Sequence, residues 1–161
     1  MKLTEKFSYE GADVEAVYGL LSSQAFRTES CAQQGASDYD VTVEPDGEGA
    51  TVTIHRTQEA DMPDFVKKLT GKTVKVKQTE VWSAPDASGN RTADVKVSII
   101  GQPAEMIGVA KLFARDGGSD FTIDGDVKVS IPFIGRKIEP EVAKAIRSSL
   151  REEVAFGMTR L

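Results

Sequence analysis

Apolar and polar residues alternate from the first positions of the chain: Leu3, Glu5, Phe7 and Tyr9 fall on one side of an extended segment, with Lys2, Thr4, Lys6 and Ser8 on the other. A period of two is that of a strand with one buried face. The period then lengthens. Gly11 and Asp13 mark a turn and a helix N-cap, and Val14, Val17, Tyr18 and Leu21 recur at the i, i+3, i+4, i+7 spacing of a single helix face. Ser22 and Ser23 break that helix. A second short helix is expected to carry Phe26 and Cys31 and to stop at Gly35.

From residue 38 the period returns to two. Tyr39, Val41 and Val43 alternate with charged and hydroxyl residues, and Pro45-Asp46-Gly47 with Gly49 makes a hairpin turn. Val52 and Ile54 share a face on the return strand, with His55 on the other side. Pro63 to Gly71 reads as a short helical or irregular bridge. A long strand from Thr73 to Ser83 then places Val74, Val76, Gln78, Glu80 and Trp82 together, and the stretch from Pro85 to Asn90 is a turn. Ala93, Val95, Val97 and Ile99 form the next half-buried strand. Glu105 to Arg115, apolar on both faces, is expected to be central in the sheet. After the loop Asp116 to Ser119, the residues Phe121, Ile123, Val127, Val129 and Ile131 line the last strand. From about Arg136 the spacing is helical again: Ile138, Val142, Ala145, Ile146, Ser149, Leu150 and Val154 form a stripe on a helix of five or six turns, ~30 to 35 Å long.

The predicted fold is therefore α+β: a curved antiparallel sheet of about seven strands around a long C-terminal helix, with two short helices between the first two strands. At 161 residues one domain spanning 1–161 is expected, with a core of its own. The formal net charge of −5 gives no general attraction to phosphate backbones, which argues against nucleic acid as a partner. No apolar run approaches a membrane span, so no stable membrane insertion is expected. The first residues lack the apolar core of a signal peptide, so the sequence predicts an unexported, cytoplasmic protein. A single cysteine, Cys31, and a single histidine, His55, cannot make a disulfide or a thiolate- or imidazole-rich metal site. Asp124 and Asp126 lack the further ligands of a calcium loop. No cofactor and no metal are called for.

The dry face of such a sheet needs cover, and a single helix ~10 Å across leaves space beside it. That space is either a ligand pocket or is filled by large side chains such as Trp82, Met106 and Phe133. On the same face Arg56 and Gln58 continue from Val52 and Ile54, beside Gln78 and Glu80. Arg56 and Glu80 are expected to meet as an ion pair or to form a head-group site, unless the strand ends emerge into water or a bulge flips the parity. Lys67, Lys68, Lys72, Lys75 and Lys77 are the local concentration of positive charge, read as a solvated face or as a surface for a membrane or partner.

Two segments, Glu80-Val81-Trp82 and Val129-Ser130-Ile131-Pro132-Phe133-Ile134-Gly135-Arg136-Lys137-Ile138-Glu139, together with the order of elements, resemble the helix-grip fold of the START-like, or polyketide cyclase/dehydrase and lipid-transport (SRPBCC), superfamily. The second segment is similar to that of a largely actinobacterial branch, domain of unknown function 2505. The resemblance implies a cavity between sheet and helix for a hydrophobic small molecule. Binding or transport of a lipid-like or polyketide-like ligand is then expected against Ile54, Val76, Val95, Val97, Met106, Phe133, Ile138, Val142 and Ile146, with Tyr39, Arg56, Gln78, Glu80 and Trp82 as polar and aromatic contacts. A cyclase or dehydratase using Glu80 as acid/base and Arg56 or Tyr39 for oxyanion charge is the alternative, as is a protein-interaction module without a small ligand. Fold alone does not choose among these.

Overall fold

In a computed structural model describing residues 1–161, the elements follow in the order β1 (Lys2–Glu10), α1 (Val14–Leu21), α2 (Gln24–Gln33), β2 (Asp38–Asp46), β3 (Gly49–Glu59), α3 (Asp64–Thr70), β4 (Thr73–Trp82), β5 (Arg91–Ile99), β6 (Ala104–Arg115), β7 (Gly118–Val129) and α4 (Gly135–Met158). The seven strands form one antiparallel sheet in the order β1-β7-β6-β5-β4-β3-β2. Each neighbouring pair from β2 to β7 is joined by a local connection. Only β1 leaves this meander: it pairs with β7, and α1 and α2 carry the chain from that edge to β2 at the opposite one. Asp13 and Ser23 start the two helices by accepting from the backbone N–H groups of Ala16 and Phe26, at 2.8 and 3.2 Å.

The register keeps every apolar parity on one face. Tyr39 lies opposite Arg56, Ile54 opposite Gln78, Gln78 opposite Val97, and Val97 opposite Met106. Ile107 and Val109, the second apolar face expected of β6, are on the outer side and exposed. Packed against the inner side, α4 meets β7 and β1 and, through its later turns, α2. Ile138, Val142 and Ala143 are buried there. Arg147 and Arg151, on the flank of the stripe, both reach Glu5 of β1, at 3.2 and 3.0 Å.

Gly108 and Gly125 face each other midway along the β6–β7 pair. A Cβ on Gly108 would stand 2.5 Å from the Asp124 carbonyl oxygen, so the two strands approach more closely than side chains permit. This is where the sheet can bend around α4. Alanine in a strand interior ordinarily stabilises relative to glycine. Gly108→Ala is expected to do the opposite and cost ~1–3 kcal/mol, because the obstacle is backbone. Gly125→Ala meets first the Met106 sulfur, at 2.6 Å, the movable part of a flexible side chain, and the Ile107 carbonyl oxygen only at 3.0 Å, so it should cost less. Thermal unfolding of the two variants would reveal the sign; a stabilised Gly108→Ala would remove the close-approach argument.

Candidate functional site

Because α4 sits over β7 and β1, the inner faces of β3, β4 and β5 are covered only where side chains reach across. Between them and the middle of α4 run three linked crevices. One, of about 30 Å³, is lined by Arg56, Gln78, Val95, Val97, Met106, Ile123, Ile146, Ser149, Leu150 and Glu153. A second, of about 50 Å³, shares Arg56, Val97, Met106, Ile146 and Ser149 with it and extends to Met62, Val76, Ile99 and Val142. The third, of about 20 Å³, continues under α3 to Val66, Leu69, Ile131 and Ile138. Each is smaller than the ~150 Å³ that holds a benzene-sized guest. A larger occupant must displace wall side chains, of which the unbranched Met62 and Met106 are the most adaptable.

Beside the crevices, polar groups of α2, β4 and α4 pack together, of which Gln78 and Glu153 reach the crevice wall. Arg27, wholly buried on α2, donates from Nη1 and Nη2 to the two oxygens of Glu80 at 3.0 and 2.5 Å, and from Nη1 to the Leu21 carbonyl at 2.9 Å. Glu80 also accepts from the Trp82 indole at 2.9 Å and the Gln78 amide at 2.5 Å, so both its oxygens are doubly occupied. Burial alone would raise its pKa. The Arg27 charge and these hydrogen bonds outweigh that and hold the carboxyl below its ordinary value. Glu153 of α4 stands 3.4 Å from Arg27 Nε and accepts from Ser30 at 3.0 Å.

The predicted pair of Arg56 with Glu80 does not form. In the β3–β4 register Arg56 lies opposite Val76, and Glu80 lies opposite Val52, four pairs further along. Arg27 takes the carboxylate instead. Arg56, 9% exposed, donates from Nη2 to the Ser149 hydroxyl at 3.3 Å and lies beside the Cys31 thiol; its Nε has no hydrogen-bond partner.

Of the other predicted site residues, Val76, Gln78, Val95, Val97, Met106, Ile138, Val142 and Ile146 line the crevices. Ile54 and Trp82 are buried in the core cluster beside them, Trp82 edge-on to Tyr18. Two placements correct the sequence reading. Tyr39 is exposed, because β2 is an edge strand and its end runs beyond the cover of α2 and α4. Phe133, expected to face the cavity, is fully exposed on the turn between β7 and α4, with a φ of +71° that directs its side chain away from both. His55 is on the exposed outer face; Asp124 and Asp126 bind Thr4 and Lys2 across the β1–β7 pair. Cys31 is buried on α2, and burial pushes its thiol pKa up, away from a reactive thiolate.

Arg27, Glu153 and Ser149 complete the polar set. Arg27 and Glu153 were signalled by position: Arg27 shares the inward side of α2 with Ser30 and Cys31, and Glu153 falls three residues after Leu150 within the α4 stripe. A charge inside an apolar stripe announces a buried partner.

The family model described as Protein of unknown function (DUF2505) matches residues 5–161. The chain belongs to this family. Uncharacterised proteins of Mycobacterium tuberculosis and Mycobacterium bovis are 33% identical to it over 130 residues, which is 80% of this chain and 71% of theirs. This DUF2505 chain also superposes on crystal structures of distant sequence. A protein of Thermus thermophilus gives a TM-score of 0.62 at 15% identity, covering 99% of this chain and 96% of that one. An aromatase/cyclase of a Streptomyces species gives 0.61 at 9% identity, covering 99% and 92%. A STAR-related lipid transfer protein of Xanthomonas axonopodis gives 0.60 at 12% identity, covering 97% and 85%. These likenesses establish the fold of the DUF2505 chain as the START-like helix-grip fold. No helix of the chain is long and apolar enough to cross a membrane.

Proposed function

We propose that the protein binds a hydrophobic small molecule, lipid-like or polyketide-like, between α4 and the inner sheet face, with an oxygen-bearing head group held by Arg56. The observation that carries this reading is the Arg56 Nε: a guanidinium donor, buried and unpartnered, in the wall of an otherwise mainly apolar crevice. An unmet donor there loses its hydration without compensation. A carboxylate or carbonyl oxygen reaching Nε and the adjacent terminal nitrogen restores it, and the two nitrogens form the fork that suits a planar carboxylate. The ligand's apolar body would bury against Val97, Met106 and Ile146, gaining ~25 cal/mol per Å². That structural relatives include a STAR-related lipid transfer protein and an aromatase/cyclase supports a hydrophobic ligand in this fold.

Binding without turnover is the reading favoured by Glu80. An acid/base needs a free oxygen and a pKa near working pH. Glu80 has neither, since its oxygens are taken by Arg27, Gln78 and Trp82 and its pKa is depressed.

The test uses a fluorescent long-chain carboxylate and its methyl ester as probes. Wild type is expected to bind the acid. Arg56→Met should weaken it about ten- to a hundredfold, the range of a hydrogen bond to a charged group. Ile146→Trp, which fills the crevice, should exclude both probes. Failure of wild type to bind either probe, or unchanged binding in both variants, overturns the proposal.

A further inference from the structure

The end of the molecule where α3, the β5–β6 turn and the β7–α4 connection meet carries a feature that folding alone leaves unexplained. Phe133 is the centre of a three-residue turn in which the Ile134 N–H donates to the Pro132 carbonyl at 2.9 Å, and its φ is +71°. A γ-turn with positive φ is the strained form, and an aromatic residue is ill-suited to it. The strain gains no packing in return, because the ring is fully exposed. Strain retained at an exposed aromatic side chain is grounds for seeking a function.

Its surroundings say what it could meet. The Ser130 N–H donates to the Pro103 carbonyl at 2.8 Å, and the Gln102 amide reaches the Leu69 carbonyl at 3.4 Å, so the three segments are tied together. They present Phe65, Leu69 and Ile100 as further exposed apolar side chains. Around them stand Lys67, Lys68 and Lys72 on and after α3, and Arg136 and Lys137 on the first turn of α4, all exposed and none in an ion pair. Of the nearby acids, Glu139 is engaged, accepting from the Val129 N–H at 3.0 Å and standing 3.6 Å from the N-terminal amine, while Asp61, before α3, and Asp64, at its first position, are exposed and leave the cations in excess. The chain as a whole has a formal net charge of −5, so this basic, apolar end is set against an acidic remainder.

We propose that this end docks on an anionic lipid surface, with Phe133 inserted among the acyl chains and Lys67, Lys68, Lys72, Arg136 and Lys137 against the head groups. Exposed aromatic and aliphatic side chains among lysines and arginines are the combination that an anionic bilayer interface recognises. A protein partner with an apolar pocket would have less need of five scattered cations. The proposal is independent of the crevice ligand, since vesicle binding reads the surface whether or not the crevice is filled.

The test is sedimentation with vesicles of phosphatidylcholine alone and of phosphatidylcholine mixed with phosphatidylglycerol. Wild type should be retained by the mixed vesicles at low salt, released at high salt, and ignored by phosphatidylcholine alone. Phe133→Gly should lower retention about ten- to a hundredfold, the contribution of burying a phenyl ring. The same variant should keep or raise the unfolding temperature, because glycine relieves the positive φ; a merely structural Phe133 would lose stability instead. Lys68→Glu should weaken retention, whereas Lys111→Glu, an equal charge change on the outer face of β6 well along the strand from the β5–β6 turn, should not. Retention insensitive to Phe133→Gly, an equal effect of Lys68→Glu and Lys111→Glu, or no retention by any vesicle overturns the proposal, the last outcome leaving a protein as the partner.

Discussion

Glu80→Ala is expected to destabilise the protein by about 3–5 kcal/mol, the cost of leaving one member of a buried ion pair without its partner. Arg27 would remain charged and enclosed, with Glu153 at its Nε as its remaining anion, and the Gln78 amide and Trp82 indole would lose their acceptor. Against a typical stability of ~5–15 kcal/mol this is a large share. The double variant Glu80→Ala/Arg27→Met should lose less than the sum of the single changes, since both charges leave together. Chemical denaturation of the four proteins measures the coupling; additive losses would mean the pair is not the interaction its geometry implies. The same carboxylate fixes a pH dependence. Its folded pKa lies below the ordinary value of about 4.5, so its stabilisation is full above that value and fades as pH falls through the folded pKa. Wild type should therefore lose stability on acidification below about pH 4.5, and Glu80→Ala should lack this portion of the loss.

That Glu80 was expected to face Arg56 and instead meets Arg27 illustrates how much of the site a linear pattern contains. Parity is a local property, fixed by the pleat, so the inward set Val74, Val76, Gln78, Glu80 and Trp82 followed directly from the alternation. Register is set by turn lengths and by the path of the connection between strands. The α3 excursion between β3 and β4 determines that Arg56 lies opposite Val76, and nothing in either strand alone says so. Partners from another layer are further removed still: Arg27 approaches from a helix crossing the open end of the sheet. Phe133 departs from the pattern for a different reason. It is apolar and flanked by Ile131 and Ile134, which do turn inward, but a positive φ at a residue other than glycine runs against the rule that residue type announces backbone conformation. Where local preference or polar satisfaction fails, at the Phe133 backbone and at the unpartnered Nε of Arg56, function is the better explanation.

The two halves of the α4 stripe should respond unequally to truncation. Ile138 is 3% exposed and anchors the first turns of α4 in the core it shares with Val127 and Val129; Ile138→Ala is expected to cost ~2–5 kcal/mol, the transfer loss plus the cavity left behind. Ile146, two turns on, is half-buried and already borders unfilled space on its sheet side. It has fewer contacts to lose and a smaller buried area, so Ile146→Ala should cost less than about 2 kcal/mol. The difference has a functional reading. A ligand larger than the crevices can enter only if part of the wall yields, and the part held most weakly is the middle of α4 around Ile146, Ser149 and Leu150. Amide exchange should accordingly be faster there than at Val142 and Ala143, because local opening follows the density of buried contacts. Equal costs for the two truncations, with uniform exchange along the helix, would mean that α4 is held evenly and that a guest must enter from the α3 side instead.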